Sequence, residues 1–157
     1  MLKKKNTFLI LIFLFFYQCG FKVINYSKLN NFNLKDIVTE GENRINYKLK
    51  NYIQSISNNS SNNNITLNIK SKSKNSIKEK NSSNEVTKYH VEITSTINYR
   101  ILSSEKTDNF KLTVNGDYPV ANKYSETQKN QEQLIENLTR KLSSEIKREL
   151  SRRLNDL

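Results

Sequence analysis

The sequence contains few of the residues on which catalytic, metal and phosphate-loop sites depend. It has one histidine, one cysteine, one proline, three glycines and no tryptophan among 157 residues. A single cysteine cannot form an internal disulfide, and one histidine with one cysteine is too small a set for a zinc site. Three glycines are too few to supply a glycine-rich phosphate loop. We therefore expect no catalytic residues, no metal, no cofactor and no enzymatic activity.

Positive charge is in excess over negative charge. Lysine and arginine number 26 against 15 aspartates and glutamates, a formal net charge of +11. A basic surface attracts nucleic acid, anionic lipid head groups or phosphate-bearing glycolipids. An AT-rich coding sequence would explain the lysine excess equally well, so charge alone does not choose a partner. Aromatic residues do not interleave with the lysines as a stacking platform for single strands requires, and we expect no nucleic-acid partner.

The N-terminus has the pattern of an export signal. Lys3, Lys4 and Lys5 precede an apolar run, residues 8–17, that is shorter than the roughly 20 residues of a membrane-spanning helix. The run ends at the only cysteine, Cys19, as in a bacterial lipoprotein signal, although Gln18 stands where such signals have a small residue. We interpret residues 1–18 as a lipoprotein signal peptide and Cys19 as the lipidation site, which would carry acyl chains such as palmitate. An uncleaved anchor or an incidental buried cysteine are the alternatives.

The remainder of the chain predicts a tether and one folded domain. Residues 19–33 are asparagine-rich and predict a polar tether, and residues 34–157 predict a single domain. Hydrophobic periodicity in this domain predicts strands at 34–40, 65–74, 88–102 and 110–114, and helices at 42–57 and 125–154. The crossover through the first helix requires parallel strands, whereas the later turns imply antiparallel strands. The expected fold is α+β, a four-stranded mixed sheet with two helices packed on one face, in the order β-α-β-β-β-α.

Four local features carry expectations of their own. Residues 74–88 predict a polar, lysine-rich turn, and the strand that follows is long enough for a break near Ser95. Pro119 cannot donate to a sheet ladder, so we expect an irregular exit after residue 114. Ser125 and Gln128 fit a capping box at the start of the last helix. His90 alternates with apolar residues on the polar side of its strand, which indicates an exposed histidine rather than a general base.

The last helix carries a stripe of aliphatic residues at every fourth position, and each step of four rotates the stripe by about 40°. A stripe that drifts in this way excludes a plain heptad coiled coil. It also means that the C-terminal leucines, Leu150 and Leu154, meet a different surface from Leu134 and Leu138. The other helix and a partner protein are the two candidates for that surface.

Lysines cluster around the predicted turn and the start of the last helix. This pattern is typical of a solvated turn in a lysine-rich chain, and it also fits a site for a phosphate-bearing ligand held by several ammonium groups. The lysines in question are Lys70, Lys72, Lys74, Lys78, Lys80, Lys88, Lys123 and Lys129.

The chain resembles the LptE family of lipopolysaccharide-assembly lipoproteins. The resemblance rests, in order, on four stretches: "CGF" directly after the signal, "LKDIVTEGENRINYKLKNYI", "TKYHVEITSTINYRIL" and "NQEQLIENLTRKLSSEIKREL". It implies a domain that is anchored by lipid on the periplasmic side of the outer membrane, plugs the lumen of the LptD β-barrel, assists its assembly and binds lipopolysaccharide.

The resemblance also implies which regions contact the ligand. Family members contact lipopolysaccharide through basic residues between the second and third strands and before the last helix. Those regions hold Lys72, Lys74, Lys78, Lys80, Lys88, Lys123 and Lys129. An auxiliary lipoprotein of a phospholipid ABC-type transport system is the alternative function, since it would share the anchor and the basic turn.

Overall fold

The computed structural model describes residues 32–55 and 64–155. They form one sheet and one layer of helices, in the predicted order β-α-β-β-β-α. The elements are β1 (Asn33–Gly41), α1 (Asn43–Ser55), β2 (Asn64–Lys80), β3 (Val86–Ile101), β4 (Thr107–Pro119) and α2 (Tyr124–Asn155). The predicted fold class is therefore confirmed. Cys19, the predicted signal peptide and most of the predicted tether lie outside the described residues, although Asn33 begins β1 and Phe32 is buried.

The sheet has the strand order β1-β2-β3-β4, with β1 parallel to β2 and the other neighbours antiparallel. The pairing of β1 with β2 runs from Asn33 opposite Asn64 to Gly41 opposite Ser71. Gly41 has a φ of 97°, and a Cβ at this position would lie 2.2 Å from the backbone oxygen of Ser71. Only glycine fits this close approach, and the chain then turns directly into α1.

One face of the sheet holds the core and both helices cover it. Alternate residues of β2 and β3 point inward, as the period of two in the sequence predicts. The opposite face of the sheet, which we call the uncovered face, carries mainly threonine, asparagine and lysine. The fully buried side chains include Leu49, Ile53, Ile65, Ile69, Ile93, Ile97, Leu142, Ile146 and Leu150.

The aliphatic stripe of α2 is buried inside the chain itself. Leu150 is fully buried and Leu154 is 8% exposed, so a partner protein is not needed to cover them. Beside them, the Arg153 guanidinium lies 5.0 Å from the centre of the Phe110 ring and 2.6 Å from Asp108. These contacts place the end of α2 against the start of β4. Because the sheet twists beneath the helix, a drifting stripe can stay in contact with it.

Charged pairs hold the two helices side by side and parallel. Arg44 lies 3.0 Å from Glu132, and Glu136, one turn further along α2, accepts hydrogen bonds from Lys48 and Tyr52. The partner positions advance together along both helices, which is the pattern of parallel axes. The ammonium of Lys48, followed by the Tyr52 hydroxyl, lowers the pKa of Glu136 to about 2.

The strands are longer and more regular than the sequence predicts. β2 continues to Lys80, so most of the predicted lysine-rich turn is strand, and the expected turn shrinks to residues 81–85. β3 runs without a break through Ser95, whose Oγ lies 2.7 Å from that of Ser71 inside the core. A hydrogen bond between these two hydroxyls satisfies both, so polar residues here do not interrupt the strands.

The expected irregular exit after residue 114 is also wrong. β4 continues through Gly116 to Pro119, which ends the strand at a sheet edge, where a missing donor costs nothing. Gly116 admits the close approach of α2, because a Cβ there would lie 2.8 Å from Leu134 Cδ1. At the start of α2, the contacts come from Thr127 rather than from the predicted capping box: its hydroxyl lies 2.9 Å from the Ala121 nitrogen, which donates to it.

Candidate functional site

The β2–β3 hairpin extends well past the end of β1. Residues 64–71 of β2 pair with β1, whereas Lys72 to Lys80 pair only with β3. We call the part of the molecule beyond Ser71 the hairpin end; it comprises residues 72–90 and 117–131. All seven lysines that the sequence predicts as ligand contacts lie in it. The opposite part, where four strands pair under the helices, is the four-stranded end.

Side chains of asparagine close the tip of the hairpin. The Oδ1 of Asn81 accepts hydrogen bonds from the backbone nitrogens of Ser83 (3.0 Å) and Glu85 (2.9 Å). Asn84 adopts a φ of 64°, a left-handed conformation that asparagine tolerates better than most residues. The turn is therefore a defined structure rather than the long polar loop that the lysine content indicates.

The start of α2 is tied to the hairpin. The Val120 nitrogen donates to the Thr87 carbonyl (2.9 Å), and the Asn130 side chain donates to the Pro119 carbonyl (3.2 Å). The loop between β4 and α2 consequently lies against the hairpin. This packing brings the two lysine-bearing regions of the sequence to one end of the domain.

The predicted lysines share this end but not one face. By strand alternation Lys72 and Lys74 lie on the uncovered face, and Lys78 joins them there through its contact with Asp117. Lys88 points to the same side, and its Nζ lies 2.9 Å from Glu79. Two lysines lie instead at the start of α2, on the helical side: Lys123 and Lys129.

An ion cluster occupies part of the uncovered face. Asp117 on β4 accepts hydrogen bonds from Lys78 and, if the ring nitrogen is protonated, from His90 Nδ1 at 2.6 Å. The Lys78 ammonium, and after it His90, lowers the pKa of the Asp117 carboxyl, and Asp117 in turn raises the pKa of Lys78. Lys78 is therefore engaged within the protein rather than free for a ligand.

The remaining predicted lysines differ in how far they are neutralised. Lys80 donates to the Asn84 side chain (2.8 Å), and Lys123 lies 3.9 Å from Glu126. Four have no acidic partner among the residues that the structure describes: Lys72, Lys74, Lys80 and Lys129. Charge at the hairpin end is thus available to an anion on both sides of the sheet.

The structure adds an aromatic groove that the sequence did not reveal. The rings of Tyr89 and Tyr118 stack with centres 5.3 Å apart, and Tyr124 at the start of α2 is 77% exposed. These residues, with Val86 and Val120, line an open groove of about 450 Å³ on the helical side. The alternation of Tyr89 with polar residues indicates an inward ring. The same alternation cannot indicate that α2 leaves this tyrosine ring uncovered.

Metal-binding clusters and membrane-spanning helices are both absent from the described residues. Within residues 32–55 and 64–155, no three side chains of histidine, cysteine, aspartate or glutamate come together as a metal site. In the same ranges no helix is both long and apolar enough to cross a membrane. What the hairpin end does offer is several ammonium groups and an open groove whose lining combines tyrosine and valine with polar side chains. This arrangement suits an amphiphilic ligand with an anionic head.

The fold defines the class of protein to which the chain is similar. No protein-family model and no curated protein matches the sequence, but solved structures match its fold. Rare lipoprotein B from Shewanella oneidensis is 10% identical, with a TM-score of 0.60, and the match covers 77% of this chain and 97% of that one. A lipoprotein B from Nitrosomonas europaea is 13% identical, with a TM-score of 0.53, and the match covers 76% and 83%.

A third match is a protein of Caulobacter crescentus CB15, 12% identical with a TM-score of 0.56. That match covers 83% of this chain and 94% of the other. Three proteins of different sequence thus share between 83% and 97% of their length with this chain. At identities this low, the likeness shows a common fold, that of rare lipoprotein B.

Proposed function

We propose that the protein is an outer-membrane lipoprotein that binds lipopolysaccharide and plugs and assembles an LptD-like β-barrel. Two independent features support the lipoprotein part: the predicted export signal ends at Cys19, and two solved proteins of the same fold are called lipoproteins. Acyl chains on Cys19 would contribute about 0.8 kcal/mol per buried CH₂, so two or more chains anchor the domain stably. The polar segment after Cys19 would let the domain reach a partner from the membrane surface.

The observation that carries the ligand proposal is the presence of several lysines at the same end of the domain as a groove lined partly by tyrosine and valine. Lys123 precedes Tyr124 and Lys129 follows Gln128 in the chain, so both lysines are sequence neighbours of residues that line the groove. Phosphates accept strong hydrogen bonds from ammonium groups, and an acyl chain gains from leaving water for an apolar groove. Lipopolysaccharide carries both chemical groups.

The plug proposal draws support from the uncovered face. Interiors of wide membrane barrels are polar, and a domain inside one must present hydrophilic surface to it. The uncovered face is rich in threonine, asparagine and lysine across three strands. The helices and core lie on the other side, so this face can contact a barrel wall without disturbing the fold.

The ligand test compares two sets of lysines in the full-length protein. We expect the variant Lys80→Ala/Lys123→Ala/Lys129→Ala to bind purified lipopolysaccharide about tenfold more weakly, because charge-assisted contacts are lost. The control Lys35→Ala/Lys141→Ala removes exposed lysines away from the hairpin end and should bind as the natural protein does. Titration by calorimetry measures both. Equal losses of affinity in the two variants would mean that net charge alone causes the effect, and they would contradict the proposed site.

The partner test uses a photo-crosslinking residue at Thr94 or Thr113 on the uncovered face, in the native membrane. Their hydroxyls lie 3.0 Å apart on neighbouring strands, in the middle of that face. We expect capture of a large outer-membrane β-barrel protein. Capture of an ABC-type transport system instead would favour the phospholipid-transport alternative. The proposal includes no catalysis, and no activity should therefore depend on His90.

A further inference from the structure

One edge of the hairpin end pairs with no strand among the described residues, although at its start the Ser73 hydroxyl donates a hydrogen bond to the Glu42 carboxylate (2.9 Å). β1 ends opposite Ser71, so the next part of β2, Lys72 to Lys80, borders β3 on one side only. A strand edge of this kind presents unpaired backbone donors and acceptors. The register shifts after Ile77, which limits the regular part of this edge to the residues before that point.

The register identifies which backbone groups face outward. The Ser71 carbonyl accepts a hydrogen bond from the Glu42 nitrogen (3.3 Å), so the polar groups of Ser71 face the β1 side. Backbone groups alternate along a strand, so those of Asn75 and Ile77 face the same side, beyond the end of β1. The backbone groups of even-numbered residues of β2 face β3. The Asn64 carbonyl, for example, accepts a hydrogen bond from the Leu102 backbone nitrogen (2.9 Å).

Side chains on the two faces of this edge differ in chemistry. Lys72 and Lys74 project on the uncovered face without an ion-pair partner among the described residues; Glu92, opposite Lys74 on β3, forms no ion pair with it. On the other face Ile77 is 53% exposed, a large fraction for an isoleucine. An added strand would therefore meet positive charge on one side, and on the other the Glu42 carboxylate beside Ser73 followed by the apolar side chain of Ile77.

The parts of this chain outside the described residues do not suit the edge. Residues 1–31 contain five lysines and no acidic residue, residues 56–63 carry no charge, and residues 156–157 hold one aspartate but are too short to form a strand. A second copy of the edge would set its own lysines against Lys72 and Lys74, since lysines on an edge oppose pairing with a like edge. Charge complementarity instead favours an acidic strand from another protein.

We propose that the edge of β2 from Lys72 to Ile77 is a docking site for an extended segment of a partner protein, in which acidic residues alternate with apolar ones. The segment adds a strand to the sheet through the outward backbone groups of Asn75 and Ile77. Its acidic side chains lie beside Lys72 and Lys74, and its apolar side chains lie on the side of Ile77. The site does not depend on lipopolysaccharide binding.

The test uses the full-length protein and a fluorescent eight-residue peptide that alternates glutamate with valine. We expect binding by anisotropy, with the lysine-for-glutamate peptide at least about tenfold weaker. The variant Lys72→Glu/Lys74→Glu should lose about tenfold in affinity, which corresponds to two modest ion pairs. Lys35→Glu/Lys141→Glu makes the same charge change elsewhere and should retain binding. Equal losses in the two variants would overturn the site.

A second measurement separates strand addition from simple charge attraction. Two peptides are methylated on alternate backbone nitrogens, one on the odd set and the other on the even set. Only one set of amides faces the edge, so one peptide should lose binding and the other should keep it. Hydrogen exchange at Asn75 and Ile77 should slow with the unmethylated peptide. Equal binding of both methylated peptides, or a dimer of this chain formed through the edge, would overturn the proposal.

The lysines of the two proposals can be separated. Lys80→Ala/Lys123→Ala/Lys129→Ala should leave peptide affinity unchanged, because none of the three borders the regular part of the edge. If that variant loses lipopolysaccharide and retains the peptide, the two sites are distinct. If it also loses the peptide, the peptide binds elsewhere and the edge proposal fails, whatever the result with lipopolysaccharide.

Discussion

The two ends of the sheet differ in what covers them. At the four-stranded end, β1 protects one edge of β2, and the helices bury side chains such as Leu49 and Ile97 completely. At the hairpin end, β2 loses its neighbour, and Ile77 and Tyr124 remain exposed. Burial is the main source of folding free energy, so the first end maintains the fold. The second end can vary its contacts without much effect on stability, and that is where the candidate sites lie.

Truncation of a core side chain should give the largest difference in stability between the two ends. Leu142 is fully buried on the inner face of α2, and Leu142→Ala should lower the free energy of unfolding by about 2–5 kcal/mol. Ile77→Ala at the hairpin end should cost less than about 1 kcal/mol, because half of that side chain is already in water. Denaturant unfolding of both variants measures the difference. Similar losses would mean that the hairpin end is part of the cooperative core.

Two glycines give the next largest contrast. Gly41→Ala should destabilise by about 3 kcal/mol, because its positive φ and its approach to the Ser71 backbone leave no room for a methyl group. Gly116→Ala is the matched control: the nearest atom belongs to the Leu134 side chain, which can move, and we expect about 1 kcal/mol. Thermal unfolding compares them. The reverse order would show that packing of α2 on β4 tolerates less change than the turn into α1.

The serine pair marks the boundary between the two ends. Ser95→Ala would leave the buried Ser71 hydroxyl without its partner, and we expect a loss of about 2 kcal/mol. Ser71→Ala with Ser95→Ala removes both hydroxyls and should cost no more than either single change. A double-mutant cycle in denaturant checks this. Additive losses would indicate that each hydroxyl acts through some other contact.

Much of the fold could be predicted from the sequence, because a period of two or of 3.6 reports which side chains are buried. The pattern around Ile93 and Ile97 predicts β3, and the stripe through Leu142 and Ile146 predicts α2. The ends of β2 and β4 could not be predicted in the same way. Side chains beyond the cover of the helices need not be apolar, so the period fades at Lys74 while the backbone pairing with β3 continues to Lys80.

The candidate sites were harder to predict than the fold for a related reason. Lysine content correctly points to the hairpin end as a basic region, but it does not reveal that Lys78 is held by Asp117 or that Lys123 lies on the other side of the sheet. Ion pairs and exposed edges depend on register, which joins residues far apart in the chain. The groove at Tyr124 depends on where α2 begins relative to the hairpin. Neither the strand register nor the position at which α2 begins is visible in a local sequence pattern.

The smallest expected effect concerns acid stability and separates the helix pair from the uncovered face. The pKa of Glu136 falls from its usual value near 4.5 to about 2 in the folded protein, chiefly through Lys48. A lowered pKa stabilises the fold above the unfolded-state value, and this contribution is lost as pH falls from about 4.5 towards 2. Partly exposed pairs contribute at most about 1 kcal/mol.

Glu136→Gln should therefore flatten the pH dependence of stability slightly between these values. Glu92→Gln should leave it unchanged, because that carboxylate has no ion-pair partner among the described residues. Denaturant unfolding from pH 2 to 7 measures the stability of both variants. If the pH dependence flattens equally in both, general charge repulsion, rather than the contact between α1 and α2, sets the acid limit of this domain.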